Sequence, residues 1–272
     1  MNKRILFGLI VITVMVASAV FAPFVATHNP LEMDLSPEGQ LQGPSMSHFF
    51  GTDNLGRDVF SRMVYGARVS LSVGFIAVFI SLVIGILLGG LSGYYGRWVD
   101  GLIMRLVEVM YCFPTFFLIM IVITFLGPSI VNVMIVIGLT SWAGLCRLVR
   151  AEFLTLRERD FVYSARVQGV SNKRIIFRHI LPNAMAPIYV SATLSVGGAI
   201  LIESALSFLG LGVQIPTPSW GNILTTGRMY INYAWWLTLF PGLAILITVL
   251  SFNLIGEGLR EKLDPKLKER VN

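Results

Sequence analysis

One acidic residue lies well inside an apolar run: Glu203, in "GGAILIESALSFLG" (197–210). An ionisable group there is expensive to hold in hydrocarbon, so it faces a protein interior or an aqueous path. Two roles follow. Glu203 lines or gates a pathway, or it accepts hydrogen bonds that brace its helix, through Ser204 or Ser207. The sequence leaves both open. Glu108 sits nearer the end of another apolar run. No nucleophile–base or metal-ligand constellation stands out, so no catalytic, cofactor-binding or metal-binding residue is assigned. The chain carries no G-x-x-x-x-G-K-[ST] loop to cradle phosphates. "GTDNLGRD" (51–58) lacks the D-x-D-x-D-G spacing and distal Glu of a calcium loop. Gly51 and Gly56 permit tight turns there, and Asp53, Asn54 and Asp58 can bond local backbone.

The elements that must position these residues are set by composition. Of 272 residues, 55% are hydrophobic and 13% charged, about half the charged share of a soluble domain. Mean hydropathy is +0.74. The chain reads as an all-α integral membrane protein with little left over for a soluble domain. Its net charge of +6 then sets topology and need not imply nucleic acid. Cys112 and Cys146 lie in or beside apolar segments and suggest no disulfide framework.

A spanning helix needs about 20 mostly apolar residues. Six segments qualify: about 5–26, 69–93, 103–126, 130–149, 185–211 and 236–256. The first mimics a signal peptide, with "MNKR" and Ala17-Ser18-Ala19, but its apolar run is too long, so an uncleaved anchor is expected. Placing the N-terminus inside puts 17 of the 21 Lys and Arg in the cytoplasm and only Arg57, Arg62, Arg68 and Arg228 outside. Both termini are therefore expected in the cytoplasm. His28 and His48 fall outside and His179 inside. Gly85, Gly89 and Gly93 recur every four residues, a small-residue stripe that lets helices approach, within this bundle or against a partner. Pro114 and Pro241 are expected to kink or start helices. "GPS" (127–129) makes spans three and four a hairpin.

One polar stretch interrupts the apolar chain: "RERDFVYSARVQGVSNKRIIFRHILPNA" (157–184). Asp160 can cap a short helix to about Val167, and Gly169 can stop it. Ser171 can cap a second, with Ile176, Phe177, Ile180 and Leu181 apolar, until Pro182 breaks it. Pattern alone allows an amphipathic helix on anionic lipid or a handle for a protein partner.

The run "YSARVQGVSNKRIIFRHILP" resembles the cytoplasmic EAA loop of ABC-importer permeases, E-A-A-x3-G-x9-I-x-L-P. Ala165, Gly169, Leu181 and Pro182 fall on that pattern; Tyr163, Ser164 and His179 replace its Glu, first Ala and Ile. "HFFGTDNLGRDVFSRMVYGARVSL" (48–71), "ESALSFLGLGVQIPTPSWGNIL" (203–224), "FPGLAI" (240–245) and "FNLIGEGLRE" (252–261) extend the likeness, with "FPT" (113–115) and "LDP" (263–265). Together they resemble the dipeptide/oligopeptide/nickel branch, in its C-type subunit. The resemblance implies a type I ABC importer permease fold with six transmembrane helices. Residues 1–68 would form an N-terminal helix and outside loop, and 69–272 a five-helix core with a coupling loop at about 150–184. Tyr163, Ser164, Ala165, Arg166, Gly169, Leu181 and Pro182 would couple to an ATPase. Asp53, Arg57 and Asp58, with Trp220 in the second outside loop, would help close the outer side or receive a binding protein. Implied partners are a second homologous permease, two ATPase subunits, an extracytoplasmic solute-binding protein and membrane lipid, with no nucleic acid. ATP and Mg would sit on the ATPase subunits, with no cofactor on this chain. The location would be a prokaryotic plasma (inner) membrane. Short peptides are the expected cargo, with nickel or metal chelates as the alternative. A stand-alone secondary transporter or channel would need coupling-ion sites and internal repeats, which are not evident.

Overall fold

A computed structural model describes residues 3–263. Lys266, Lys268 and Arg270, counted above as cytoplasmic, and Asp264 and Pro265 of "LDP" lie outside the described residues. The described chain is helical, with one isolated bridge, Thr52 to Asp58.

Helix α1 (Lys3–Val20) and the short α2 (Ala22–Val25) lead into a loop ending at Asp58. Then α3 runs 37 residues, Val59–Tyr95. Next come α4 (Arg97–Cys112), α5 (Thr115–Leu126), α6 (Ile130–Thr140), α7 (Trp142–Leu156) and α8 (Asp160–Val167). A single turn, α9 (Asn172–Arg174), passes through a π-wound turn (Ile175–Ile180) into α10 (Leu181–Phe208). The chain closes with α11 (Trp220–Met229) and α12 (Trp236–Leu263). Five helices are long and apolar enough to cross a membrane, and α4 with α5 brings the number to as many as six.

Three elements depart from the sequence expectation. The expected span 103–126 is two helices bent by 85°. Pro114 lacks an N–H and its ring pushes the preceding residue out of helical geometry; Phe113 is extended at φ −109°, ψ 132°. Pro114 accordingly starts α5. The second span begins at Val59, ten residues early, because its arginines are already partnered. Arg62 lies 3.5 Å from Asp53 and donates to the Pro30 carbonyl; Arg68 donates to the Ala19 and Val20 carbonyls at the end of α1. The proposed boundary at residue 68 thus falls inside α3.

The third departure is Pro182, which does not break the chain before span five: Asn172–Phe208 is one 37-residue helical run. The π turn absorbs the proline. Leu181 N–H bonds back five residues to Ile176, so Pro182 sits where bonding changes from five- to four-residue steps. The same winding stacks Ile175 on Ile180, both fully buried, and leaves Phe177 exposed.

Helix α3 is the centre of the bundle, packing on α1, α4, α6, α7 and α10. The glycine stripe faces α7. A Cβ on Gly85 would meet the Leu145 side chain at 2.8 Å, one on Gly89 the Cys146 carbonyl at 2.5 Å, and one on Gly93 the Phe153 Cβ at 2.6 Å. This stripe serves the chain's own packing, because backbone touches backbone along it. At the far end of the same helix pair, Arg150 of α7 makes a two-pronged pair with Asp100 of α4, its Nη2 2.6 Å from Oδ2. Ser92 of α3 donates to the same carboxylate. Three helices are thereby pinned at one end.

Candidate functional site

The polar stretch between α7 and α10 folds back onto the end of α3. Arg159, not Asp160, is the N-cap of α8; Asp160 is the first helical residue, where its charge complements the helix dipole. The helix ends in a Schellman closure: Val170 N–H bonds to the Ala165 carbonyl and Gly169 N–H to the Arg166 carbonyl. Gly169 has φ +72°, the left-handed conformation that closure requires. Ser171 has N-cap backbone geometry but makes no side-chain cap bond.

Beneath the stretch lies its own small core. Val162, Ala165, Ile175, Ile176 and Ile180 pack with Tyr94 of α3 and Val149 and Phe153 of α7. Polar bonds reinforce it. Tyr94 Oη donates to Asn172 Oδ1 at 2.7 Å, and Arg157 Nη1 donates to the Gly93 carbonyl at 3.1 Å. The Arg166 guanidinium carbon lies 5.5 Å from the Tyr94 ring centre. The segment is thus seated on α3 and α7 and joined without a break to α10, so a push on it is delivered to three spans.

Of the residues assigned to coupling, Ala165 faces inward, while Tyr163, Ser164, Arg166 and Gly169 are exposed. Leu181 is half-buried and Pro182 exposed. Tyr163 and Val167, one turn apart, are 69% and 73% exposed, and together they make an uncovered apolar strip on α8. Sequence reasoning passed over Val167 and the Tyr94–Asn172 bond. The four-residue spacing of Tyr163 and Val167 was the available signal for the first. The second joins residues 78 apart and had none.

On the other side of the bundle, Asp53, Arg57, Asp58 and Trp220 are all buried, between 1% and 4% exposed. They lie inside that end of the bundle and do not form its surface. Asp53 Oδ1 accepts the Leu55 and Arg57 N–H groups, and Oδ2 accepts Arg57 Nε at 2.7 Å. Asp58 caps α3, accepting Ser61 N–H at 2.8 Å. Trp220 Nε1 donates to the Met63 carbonyl, and Trp236 Nε1 to that of Thr52. Nearby, His28 and His48 come together against Asp58, a grouping their separation in the chain had concealed.

Glu203 is fully buried. Oε1 accepts Ser207 Oγ at 2.7 Å; Oε2 accepts Ser70 Oγ of α3 at 2.9 Å and Ser204 Oγ at 3.4 Å. The Trp220 N–H of α11 reaches Ser70 Oγ at 3.4 Å. One carboxyl therefore links α3, α10 and α11. A separate cavity of about 180 Å³ opens between α3, α6 and α10, lined by Ser81, Ser141, Ser195 and Gly198 among apolar residues.

The chain is a bundle of long apolar helices with a polar segment seated on it, and comparison with known proteins gives its class. Residues 81–269 match the binding-protein-dependent transport system inner membrane component family, and the chain belongs to it. Residues 1–44 match the N-terminal TM domain of oligopeptide transport permease C. Among curated relatives, the dipeptide transport system permease protein DppC of Alkalihalophilus pseudofirmus is 50% identical over 98% of this chain and 87% of its own length. The di/tripeptide transport system permease protein DppC of Pseudomonas aeruginosa is 46% identical over 98% and 89%. In fold the chain is similar to the MetNI methionine ABC transporter in an inward-facing conformation, with TM-score 0.59, 18% identity, and coverage of 76% of this chain and 98% of the other. The chain is a multi-pass ABC-importer permease of the dipeptide/oligopeptide branch, a transport subunit and not an enzyme, and such an importer works with an ATPase and a substrate-binding protein.

Proposed function

We propose that this chain forms part of the pathway by which short peptides enter a prokaryotic cell across the plasma (inner) membrane. It pairs with a second homologous permease, with two ATPase subunits that carry ATP and Mg, and with an outside solute-binding protein. The observation that carries this reading is the exposed face of α8, with Tyr163, Ser164, Arg166 and Val167 presented on a base fixed to α3, α7 and α10. A socket on an ATPase that grips this face can turn nucleotide-driven movement into helix movement. The peptide names of the relatives support peptide cargo over nickel or metal chelates. The basic asymmetry of the sequence supports a topology with both termini in the cytoplasm.

The assembled transporter, reconstituted in vesicles, is expected to take up labelled dipeptide only with ATP and the binding protein. Excess unlabelled dipeptide competes; a nickel chelate does not. Uptake without ATP would mark a stand-alone transporter. In sealed cells, cysteines at Ser45 and Thr217 react with an impermeant reagent from outside, and one at Ser171 does not. All three positions are exposed. Labelling at Ser171 from outside would reverse the topology.

Glu203 is assigned the bracing role. Its oxygens are committed to serines, with no exposure left for cargo. Glu203→Leu leaves Ser70 and Ser207 without that acceptor, at about 1–3 kcal/mol for each buried unsatisfied group. It is expected to lower the yield and thermal midpoint of the complex, while Glu203→Gln, which keeps an acceptor oxygen, retains most of both. Normal stability of Glu203→Gln with altered uptake would make it a pathway residue instead.

A further inference from the structure

We propose that His28, His48 and Asp58 bind a divalent first-row transition ion of the zinc class on the outer face of the chain. The ion would fasten the segment after α2 to the start of α3. The three residues come from separate pieces of chain: His28 just past α2, His48 in the long loop, and Asp58 at the cap of α3. One donor atom from each lies within 4.8 Å of the others. His48 Nδ1 is 2.9 Å from Asp58 Oδ1, and His28 Nδ1 is 3.8 Å from the same oxygen. A tetrahedral ion with bonds of about 2.0–2.1 Å holds its ligand atoms about 3.4 Å apart, between those two distances. The two rings lie 4.7 Å apart and are tilted by 31°, and each brings its Nδ1 within 4 Å of the same carboxylate oxygen.

The carboxylate is held ready. Asp58 Oδ2 accepts the Ser61 N–H and faces Thr27 Oγ1 at 3.4 Å, which leaves Oδ1 turned to the histidines. Fixing a ligand through its other atom is how surrounding hydrogen bonds tune a metal site. Access is graded: the Asp58 side chain is 1% exposed, His48 21% and His28 39%. The site therefore has a buried floor and an open mouth. That mouth is a cavity of about 390 Å³, also lined by Glu32 and Asp34 and by no Lys or Arg. Three carboxylates and two imidazoles make a field that draws cations. Two nitrogen ligands select against magnesium and calcium, which prefer oxygen, and suit zinc, nickel or copper. Three protein ligands leave a coordination position facing the cavity, open to water.

The test uses the full-length chain with its co-purifying partners, without a histidine tag, stripped by a chelator and titrated with Zn2+ and Co2+. The parent is expected to bind one more equivalent per copy of this chain than His28→Ala, with a visible Co2+ absorption of tetrahedral type. Losing a direct ligand should weaken binding at that site more than about 100-fold, beyond the loss seen when only a supporting residue is removed. Zn2+ should raise the thermal midpoint of the parent and not of His28→Ala. His28→Ala keeps the His48–Asp58 contact and alters an exposed side chain, so misfolding does not account for a loss. His179→Ala, the third histidine, should bind as the parent does. If parent and His28→Ala bind equal amounts of Zn2+, or the parent gives no tetrahedral Co2+ band, the trio is only a hydrogen-bonded histidine–carboxylate pair and the proposal is wrong.

Discussion

Gly169→Val is expected to leave the protein in the membrane at parental level and to abolish both ATP-driven uptake and substrate-stimulated ATP hydrolysis. Gly169 sits at φ +72°, where a β-branched residue is strained by about 1–2 kcal/mol. No atom lies within 4 Å of where its Cβ would stand, so no clash adds to this. The strain is relieved by opening the turn, which gives up the Val170 to Ala165 bond and swings α8 off its base. The bundle below is untouched, hence normal insertion. Force transmission depends on where Tyr163, Arg166 and Val167 point, so a small tilt has a large effect. Gly169→Asn, which tolerates the left-handed conformation, should keep most of the uptake. Cysteines at Tyr163 or Val167, both exposed, should crosslink to an ATPase subunit in the parent and weakly in Gly169→Val. Crosslinks to lipid alone would make the segment a membrane-surface helix. Normal uptake by Gly169→Val would show that the turn does not position the docking face.

Gly89→Leu is expected to act on assembly. Its Cβ would stand 2.5 Å from the Cys146 carbonyl and 2.8 Å from the Val149 Cβ, and neither backbone nor Cβ can step aside alone. Helices α3 and α7 must part along their length, which costs about 3 kcal/mol or more. Because α3 also carries Asp53-paired Arg62 at one end and the seat of the coupling segment at the other, the loss spreads to both faces. The yield of intact complex should fall severalfold and the remainder should unfold at lower temperature. Gly101→Leu, on α4 with nothing within 4 Å of its Cβ, is the matched control and should be near neutral. Equal yields for the two variants would remove the glycine stripe from the account of packing.

The apolar spans and the polar insert were legible in the amino-acid sequence because each is a property of one continuous stretch. A run of about 20 apolar residues partitions into a membrane on its own composition. Gly169 was legible for the same reason: a helix stop depends on the few residues around it, and the structure shows the positive φ there. Pro114 announced a kink, though not its 85° size. What only the tertiary structure decided involves partners far apart in the chain. Helix α3 starts at Val59 because Arg62 and Arg68 find acceptors at Pro30, Ala19 and Val20. Asp53, Arg57, Asp58 and Trp220 read as a surface and are buried, since each is satisfied within the fold. Glu203 gains Ser70 from 133 residues away. His28 and His48 meet over Asp58 only because α2 and the loop fold back onto the cap of α3. Local free energies can be summed along a sequence; the cost of burying a charge or a polar group depends on which distant atom arrives to meet it.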